Sequence, residues 1–158
     1  MTTDIDTPWH EHGWLEHTQT LLDSFRRFVG HDLIPRSSAP EADARALFEA
    51  AVVVVSHGMQ ADPVLNYGNR AALTLWEIDI PTLLTTPSRL TAEPVHRDER
   101  ARLLARTERD GYVDDYQGIR ISRTGRRFRI ERAIVWNLLD SHGERVGQAA
   151  TFSAWTPL

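Results

Sequence analysis

The chain contains no cysteine and no lysine. Without thiols there are no disulfides, zinc ribbons, thiol catalysis, haem–thiolate ligation or flavin–cysteinyl photochemistry. All 18 basic residues are arginines, which removes Schiff-base chemistry and the P-loop lysine. The formal net charge of −4 argues against non-specific attachment to nucleic acid. Long apolar runs are also missing. The longest, Ala50 to Val55, is strand-sized and far short of a membrane crossing. The opening MTTDIDTPWHEHGW is acidic and polar, unlike a signal peptide. These absences lead to the expectation of a soluble, cytoplasmic protein with no membrane or nucleic-acid partner. What is present, 41% hydrophobic residues, is enough for one core.

The pattern of the chain alternates between two periods. Residues 9–29 carry Trp14, Leu21, Leu22, Phe25, Phe28 and Val29 at roughly helical spacing, closed by Gly30. HDLIPRSSAP (31–40) is a linker with two prolines and two serines. A short helix over 41–50 leads to the β-branched run 51–56. A turn and a second strand, VLNY, complete a hairpin. Asn69 then caps a helix carrying Ala71, Ala72, Leu75 and Trp76 on one face, with Gly68 supplying the bend before it. Residues 80–94, with three prolines, read as short turns. Residues 95–111 form a charged helix closed by Gly111. Three strands follow at 112–122, 126–140 and 144–155. In the second of these, Phe128, Ile130, Ile134, Trp136 and Leu138 alternate onto one expected face.

This order, and the stretches that mark it, resembles the PAS fold. The hairpin ends in an Asn that opens a helix, "LNYGNRAALTLWE", and a turn precedes the last strand, "DSHGERVGQAATF". Within that group the chain looks like the MEKHLA domain in its stand-alone bacterial form. The carrying stretches are "NYGNRAALTLWE", "PSRLTAEPVHRDER", "GYVDDYQGIRISRTGRRFRIERAIVWNLLD" and "GQAATFSAW". The expected fold is α+β: a five-stranded antiparallel PAS-like sheet with helices packed on one face, plus an N-terminal helix. Residues 1–40 form that helix and its linker, and 41–158 the PAS-like domain. The resemblance implies a role in sensing or ligand-dependent interaction and brings no established cofactor.

Candidate ligand contacts are Asn66, Tyr67, Asn69, Trp76 and Arg89 after the second strand, with His57 at the pocket mouth. Such sites are mostly apolar with a few placed polar groups. The simpler alternative is that Asn69 only caps, and that Trp76 and Trp136 fill the volume a ligand would need. Arg132 shares the parity of Ile130 and Ile134. A guanidinium buried there needs a partner, either a ligand carboxylate or, more simply, Asp114, Asp115 or Glu93. A β-bulge would instead turn Arg132 to solvent. Arg132 or Arg89 thus makes an anionic small molecule the ligand class to expect. Tyr112, Asp114, Tyr116 and Arg120 share a parity that lines either a pocket, a dimer surface or solvent.

Other groups carry weaker chemistry. WHEHGWLEH brings His10, His12, Glu11, Glu16 and His17 together, but on a helix these do not converge, so no metal site is expected. SRTGRRFR reads as a solvated basic turn. No nucleophile–base set stands out, so no catalytic residue is assigned. An enzyme would rest on His57 with Asp62. For a haem, His57 and His96 are candidate axial ligands. The apolar stripe of the N-terminal helix needs cover, from the sheet or from its copy in a second chain, and a homodimer with that helix at or near the interface is expected.

Overall fold

The structure, a computed structural model, describes residues 7–158. A 3-10 turn leads into α1 (His12–Val29), followed by α2 (Pro40–Phe48), β1 (Val53–His57), β2 (Leu65–Gly68), α3 (Arg70–Trp76) and α4 (Ile80–Leu83). Two more 3-10 turns, Ser88–Thr91 and Pro94–His96, precede α5 (Arg97–Asp110). Then come β3 (Tyr112–Ile121), β4 (Arg127–Leu139), β5 (Arg145–Phe152) and the short β6 (Ala154–Pro157). The strands form one antiparallel sheet in the order β2-β1-β5-β4-β3, with β6 continuing β5 alongside the first half of β4. This is the expected fold class.

Both faces of the sheet are covered. On one, the stripe Trp14, Leu21, Leu22 and Phe25 of α1 joins Leu47 and Phe48 of α2 over Val54, Tyr67, Trp136, Leu138 and Ala149. Phe25 meets the Trp136 ring edge-on at 5.0 Å, and the Trp136 indole N–H donates to the Leu21 carbonyl at 3.3 Å. The stripe of α1 is therefore packed on its own sheet. On the other face, α3 places Ala72 and Trp76 against Val53, Phe128, Ile130, Ala133 and Phe152. α5 adds Leu103 over Val113 and Val135.

β4 departs from the alternation expected of it. Arg132 sits at φ 51 and is exposed. Before it, Glu131 pairs with Ala154 of β6; after it, Ile134 pairs with Thr151 of β5. The bulge resets the parity, so Phe128, Ile130 and Ala133 face the α3 side while Ile134, Trp136 and Leu138 face α1. A left-handed residue costs roughly 1–3 kcal/mol, less than burying an unpaired guanidinium. β3 is irregular too, with register shifts on both sides of Tyr116. Tyr112 consequently packs toward α1, Asp114 is exposed, and Tyr116 and Arg120 face the α3 side.

Asn69 does more than cap. Its Oδ1 accepts from the Ala72 N–H at 3.1 Å and from the Val54 N–H at 3.0 Å. Its Nδ2 donates to the carbonyls of Val52 at 2.7 Å and Leu47 at 3.2 Å. One fully buried amide thus joins α2, β1 and α3. Gly68 is required by space and not by a left-handed bend: a Cβ there would lie 2.7 Å from Leu83 Cδ1.

Asn69→Ala removes the side-chain partner of the Val54 and Ala72 N–H groups and of the Val52 carbonyl, leaves the Leu47 carbonyl only its local N–H partners, and is expected to cost roughly 3–5 kcal/mol. Asn69→Asp keeps the accepted bonds but sets a carboxylate against two carbonyls, so it too destabilises, and more so as pH rises. Urea unfolding of both variants at two pH values checks this; a loss under about 1 kcal/mol for the alanine would contradict it.

Candidate functional site

The α3 side of the sheet is incompletely covered at its centre. Val55 of β1 and Ala150 of β5 are paired there, and both remain partly accessible. Their neighbours facing α1, Val54 and Ala149, are buried. The gap is a cavity of about 70 Å³ between the sheet, Trp76, the Ser88–Thr91 turn and α5. Its walls include Val55, Leu65, Leu103, Ile130, Val135 and Phe152, with His57, Ser88, Arg100, Tyr116, Arg120 and Gln148 as the polar groups. A second cavity of about 280 Å³ shares the Val55, Leu65, Trp76 and Thr91 walls and is bounded by Ile78, Leu83, Leu90 and Ile121.

α5 is suspended over this space from its C-terminal end. The Gln148 amide donates to the Leu104 carbonyl at 2.9 Å, and the Asn137 amide to that of Thr107 at 3.1 Å. The two amides are joined to each other at 3.0 Å. The Thr107 carbonyl also accepts the Gly111 N–H at 2.8 Å, so these are additional bonds that dock the helix on the sheet. They fix Arg100, one turn before Leu103 and Leu104, above the cavity.

The polar groups are unevenly satisfied. His57 Nδ1 lies 3.0 Å from the Gly58 carbonyl, while its Nε2 is buried without a partner among the described residues. Burial, with the nearby Arg100 and Arg145 charges, outweighs that carbonyl and lowers the His57 pKa. The Trp76 indole N–H is likewise buried and unpartnered among the described residues. Arg120 is only 7% exposed. Arg100 is pushed down to about 10, by burial first and by the Arg120 charge second.

Of the residues singled out from sequence, His57, Trp76, Tyr116 and Arg120 line the cavity. The others lie elsewhere. Asn66 is the extra residue where β2 slips against β1, and its Oδ1 accepts from the Ser56 hydroxyl at 2.5 Å. Tyr67 and Trp136 are in the α1-side core, and Asn69 is tied to backbone on all sides. Arg89 is exposed and paired with Asp62 at 3.2 Å, which takes Asp62 away from His57. Arg132 is in solvent. His96 is not part of the cavity wall that holds His57. Trp136 leaves the cavity unfilled, and Trp76 forms the partition between the two chambers.

The N-terminal histidines go to three partners. His10 meets Glu41 at 3.3 Å, His12 meets Glu16 at 3.6 Å, and His17 lies 2.8 Å from the Ser56 hydroxyl. The described residues contain no metal-binding group of three or more His, Asp or Glu. In the basic turn, Arg126 pairs with Glu77 at 3.4 Å and Arg127 with Glu93 at 2.6 Å.

Arg100 was not recognised from sequence, although a signal existed. Arg100, Leu103, Leu104 and Thr107 follow helical spacing, and that stripe holds the buried residues of α5. An arginine on the buried stripe of an otherwise charged helix marks it for a cavity.

The model of the MEKHLA domain family matches residues 15–157. The chain belongs to this family. Among solved structures, the MEKHLA chain is similar to a PAS domain from Colwellia psychrerythraea, with 13% identity and a TM-score of 0.62 over 75% of this chain and 95% of that one. It is similar to an RNA-binding light-oxygen-voltage receptor, with 20% identity and a TM-score of 0.59 over 76% of this chain and 33% of that one. It also resembles the photo-excited blue-light photoreceptor Vivid, with 11% identity and a TM-score of 0.56 over 84% and 92%. At these identities the likeness establishes the PAS fold. A search of curated proteins gives no match.

Burial pushes the His17 imidazole down to about 4. The unfolded chain takes up that proton near pH 6.5, so between the two values the unfolded state binds more protons. Stability from this group is present above pH 6.5 and is lost as pH falls toward 4, by on the order of 3 kcal/mol. His17→Gln keeps a donor for Ser56 and should flatten this part of the stability–pH curve, as read by urea unfolding from pH 4 to 7. An unchanged slope would overturn the assignment.

Proposed function

We propose that this MEKHLA domain is a sensory module, in which a small ligand occupies the space between the sheet and α3, α5 and the Ser88–Thr91 turn. The observation that carries the reading is the partly accessible Val55–Ala150 pair on β1 and the central strand β5. A sheet closed on one face and open at the middle of the other leaves apolar area for something else to cover.

The route from the cavity to the rest of the molecule runs across β1, whose adjacent residues point to opposite faces. His57 faces the cavity, and Ser56 holds the His17 side chain of α1. A ligand that moves His57 therefore alters the hold on α1. For a signal to pass, ligand affinity must differ between two arrangements of that helix.

The first test is native mass spectrometry of freshly purified, undialysed protein beside Ala150→Leu, whose larger side chain grows into the cavity. Wild-type protein is expected to carry a bound molecule that the variant lacks, and hydrogen exchange in residues 12–29 to differ between them. Bare polypeptide mass for both proteins, with no shift in the wild-type melting temperature across a panel of small organic molecules, would overturn the ligand reading. Occupancy without any change in α1 exchange would overturn the signalling route.

A further inference from the structure

Two guanidinium groups reach the cavity from different elements, Arg100 from α5 and Arg120 from β3. Their hydrogen bonds go only to neutral acceptors. Arg100 donates to the Ser88 hydroxyl at 2.6 Å. Arg120 donates to the Ile119 carbonyl at 2.9 Å and the Tyr116 hydroxyl at 3.1 Å. Among the described residues, neither has a carboxylate within ion-pairing distance. Asp62, an acid whose field reaches Arg100, is bonded to Arg89 at the surface.

This reverses the ordinary placement of charge. Arg70, Arg89, Arg109 and Arg126, on the surface, all have carboxylate partners, although water would serve them as well. Arg120, which is buried, and Arg100, which is half-buried, have none. They also repel each other across the cavity. A pair of like charges held in an apolar-walled space is stabilised by an anion placed between them.

Building on the ligand-site reading above, we infer that Arg100 and Arg120 receive the carboxylate of a small organic acid, one oxygen to each guanidinium. Its apolar body lies along Val55, Leu65 and Trp76. Ser88 and Tyr116 are positioning residues that hold the two guanidiniums apart for the anion. The walls decide in favour of an organic acid. Leu103, Ile130, Val135 and Phe152 would face bare oxygens of inorganic phosphate, whereas a carboxylate confines its charge to one end and presents hydrocarbon to the rest. The adjoining chamber, bounded by Ile78, Leu83, Leu90 and Ile121, extends the same apolar wall beyond Trp76.

The test uses the intact protein with hexanoate and benzoate as probes, hexanamide and benzamide as their uncharged counterparts, and inorganic phosphate. Calorimetry and thermal melting read binding. At least one of the two acids is expected to bind saturably and raise the melting temperature, with its amide at least about thirtyfold weaker. Arg100→Gln and Arg120→Gln should each weaken the acid by about thirtyfold or more, while Arg89→Gln stays within about twofold, since a surface ion pair contributes little. Without ligand, Arg120→Gln should melt no lower than wild type, because it removes an unpaired buried charge; an arginine with a merely structural role would lower it.

The inference is overturned if neither acid binds, if phosphate binds more tightly than either acid, or if the acids bind equally to wild type and both Gln variants. Amides binding as well as acids would sink it while leaving the ligand site intact. Failure of the ligand site itself shows separately, as wild type and Ala150→Leu each showing only its own bare polypeptide mass.

Discussion

The side chain of Asn69 is the point on which the two halves of the molecule depend. Four backbone groups, from Leu47, Val52, Val54 and Ala72, converge on one amide. They come from the end of α2, both ends of the turn into β1, and the first turn of α3. α2 belongs to the layer over one face of the sheet and α3 to the layer over the other. The amide therefore sets the relation between two layers that also meet at the surface, where Arg70 of α3 pairs with Glu49 and lies over the Phe48 ring. An amide suits the task because it both accepts and donates, twice each, without carrying a charge into the core. Hydroxyls are too short and carboxylates cannot donate.

The same need to reconcile two faces explains the irregular strands. One long β4 has to serve Phe128 and Ile130 on the α3 side, then Trp136 and Leu138 on the α1 side. A regular strand would bury Arg132 or expose half of these residues. The bulge resolves the conflict at the residue whose burial would cost most. The slip in β2 at Asn66 is smaller but similar in effect: it leaves Leu65 toward the cavity and lets Asn66 reach the Ser56 hydroxyl that also receives His17.

What could be read from the sequence was mainly what is local. The N-cap at Asn69, the glycine stops at Gly30 and Gly111, and the order of helices and strands follow from neighbours a few residues apart. The family likeness rested on the same stretches. Parity beyond a bulge is not local, since it depends on which strand lies alongside, and so the alternation through Arg132 pointed to the wrong face. Tyr67 and Trp136 are aromatic residues on strands, equally suited to core or pocket until α1 is known to cover them. Trp76 and His57 were placed at the cavity because they flank the hairpin that builds it. Arg89 and Arg132 were the wrong arginines for the cavity. Which side of a charged helix docks on a sheet is fixed by its few apolar residues, and Leu103 was too weak a marker to draw attention to Arg100.

α1 lies on the sheet as a bound segment of the same chain, joined to α2 by the short loop between Val29 and Pro40. That loop is itself fastened by Arg36, which reaches Gln19 and Asp23 of α1 and Asp43 of α2. The helix is thus tethered to its docking surface at a very high local concentration, millimolar or above for links of this kind. Its release is a first-order event inside one molecule, with an equilibrium blind to how much protein is present. Any helix from another chain that sought the same sheet face would have to compete with that local concentration.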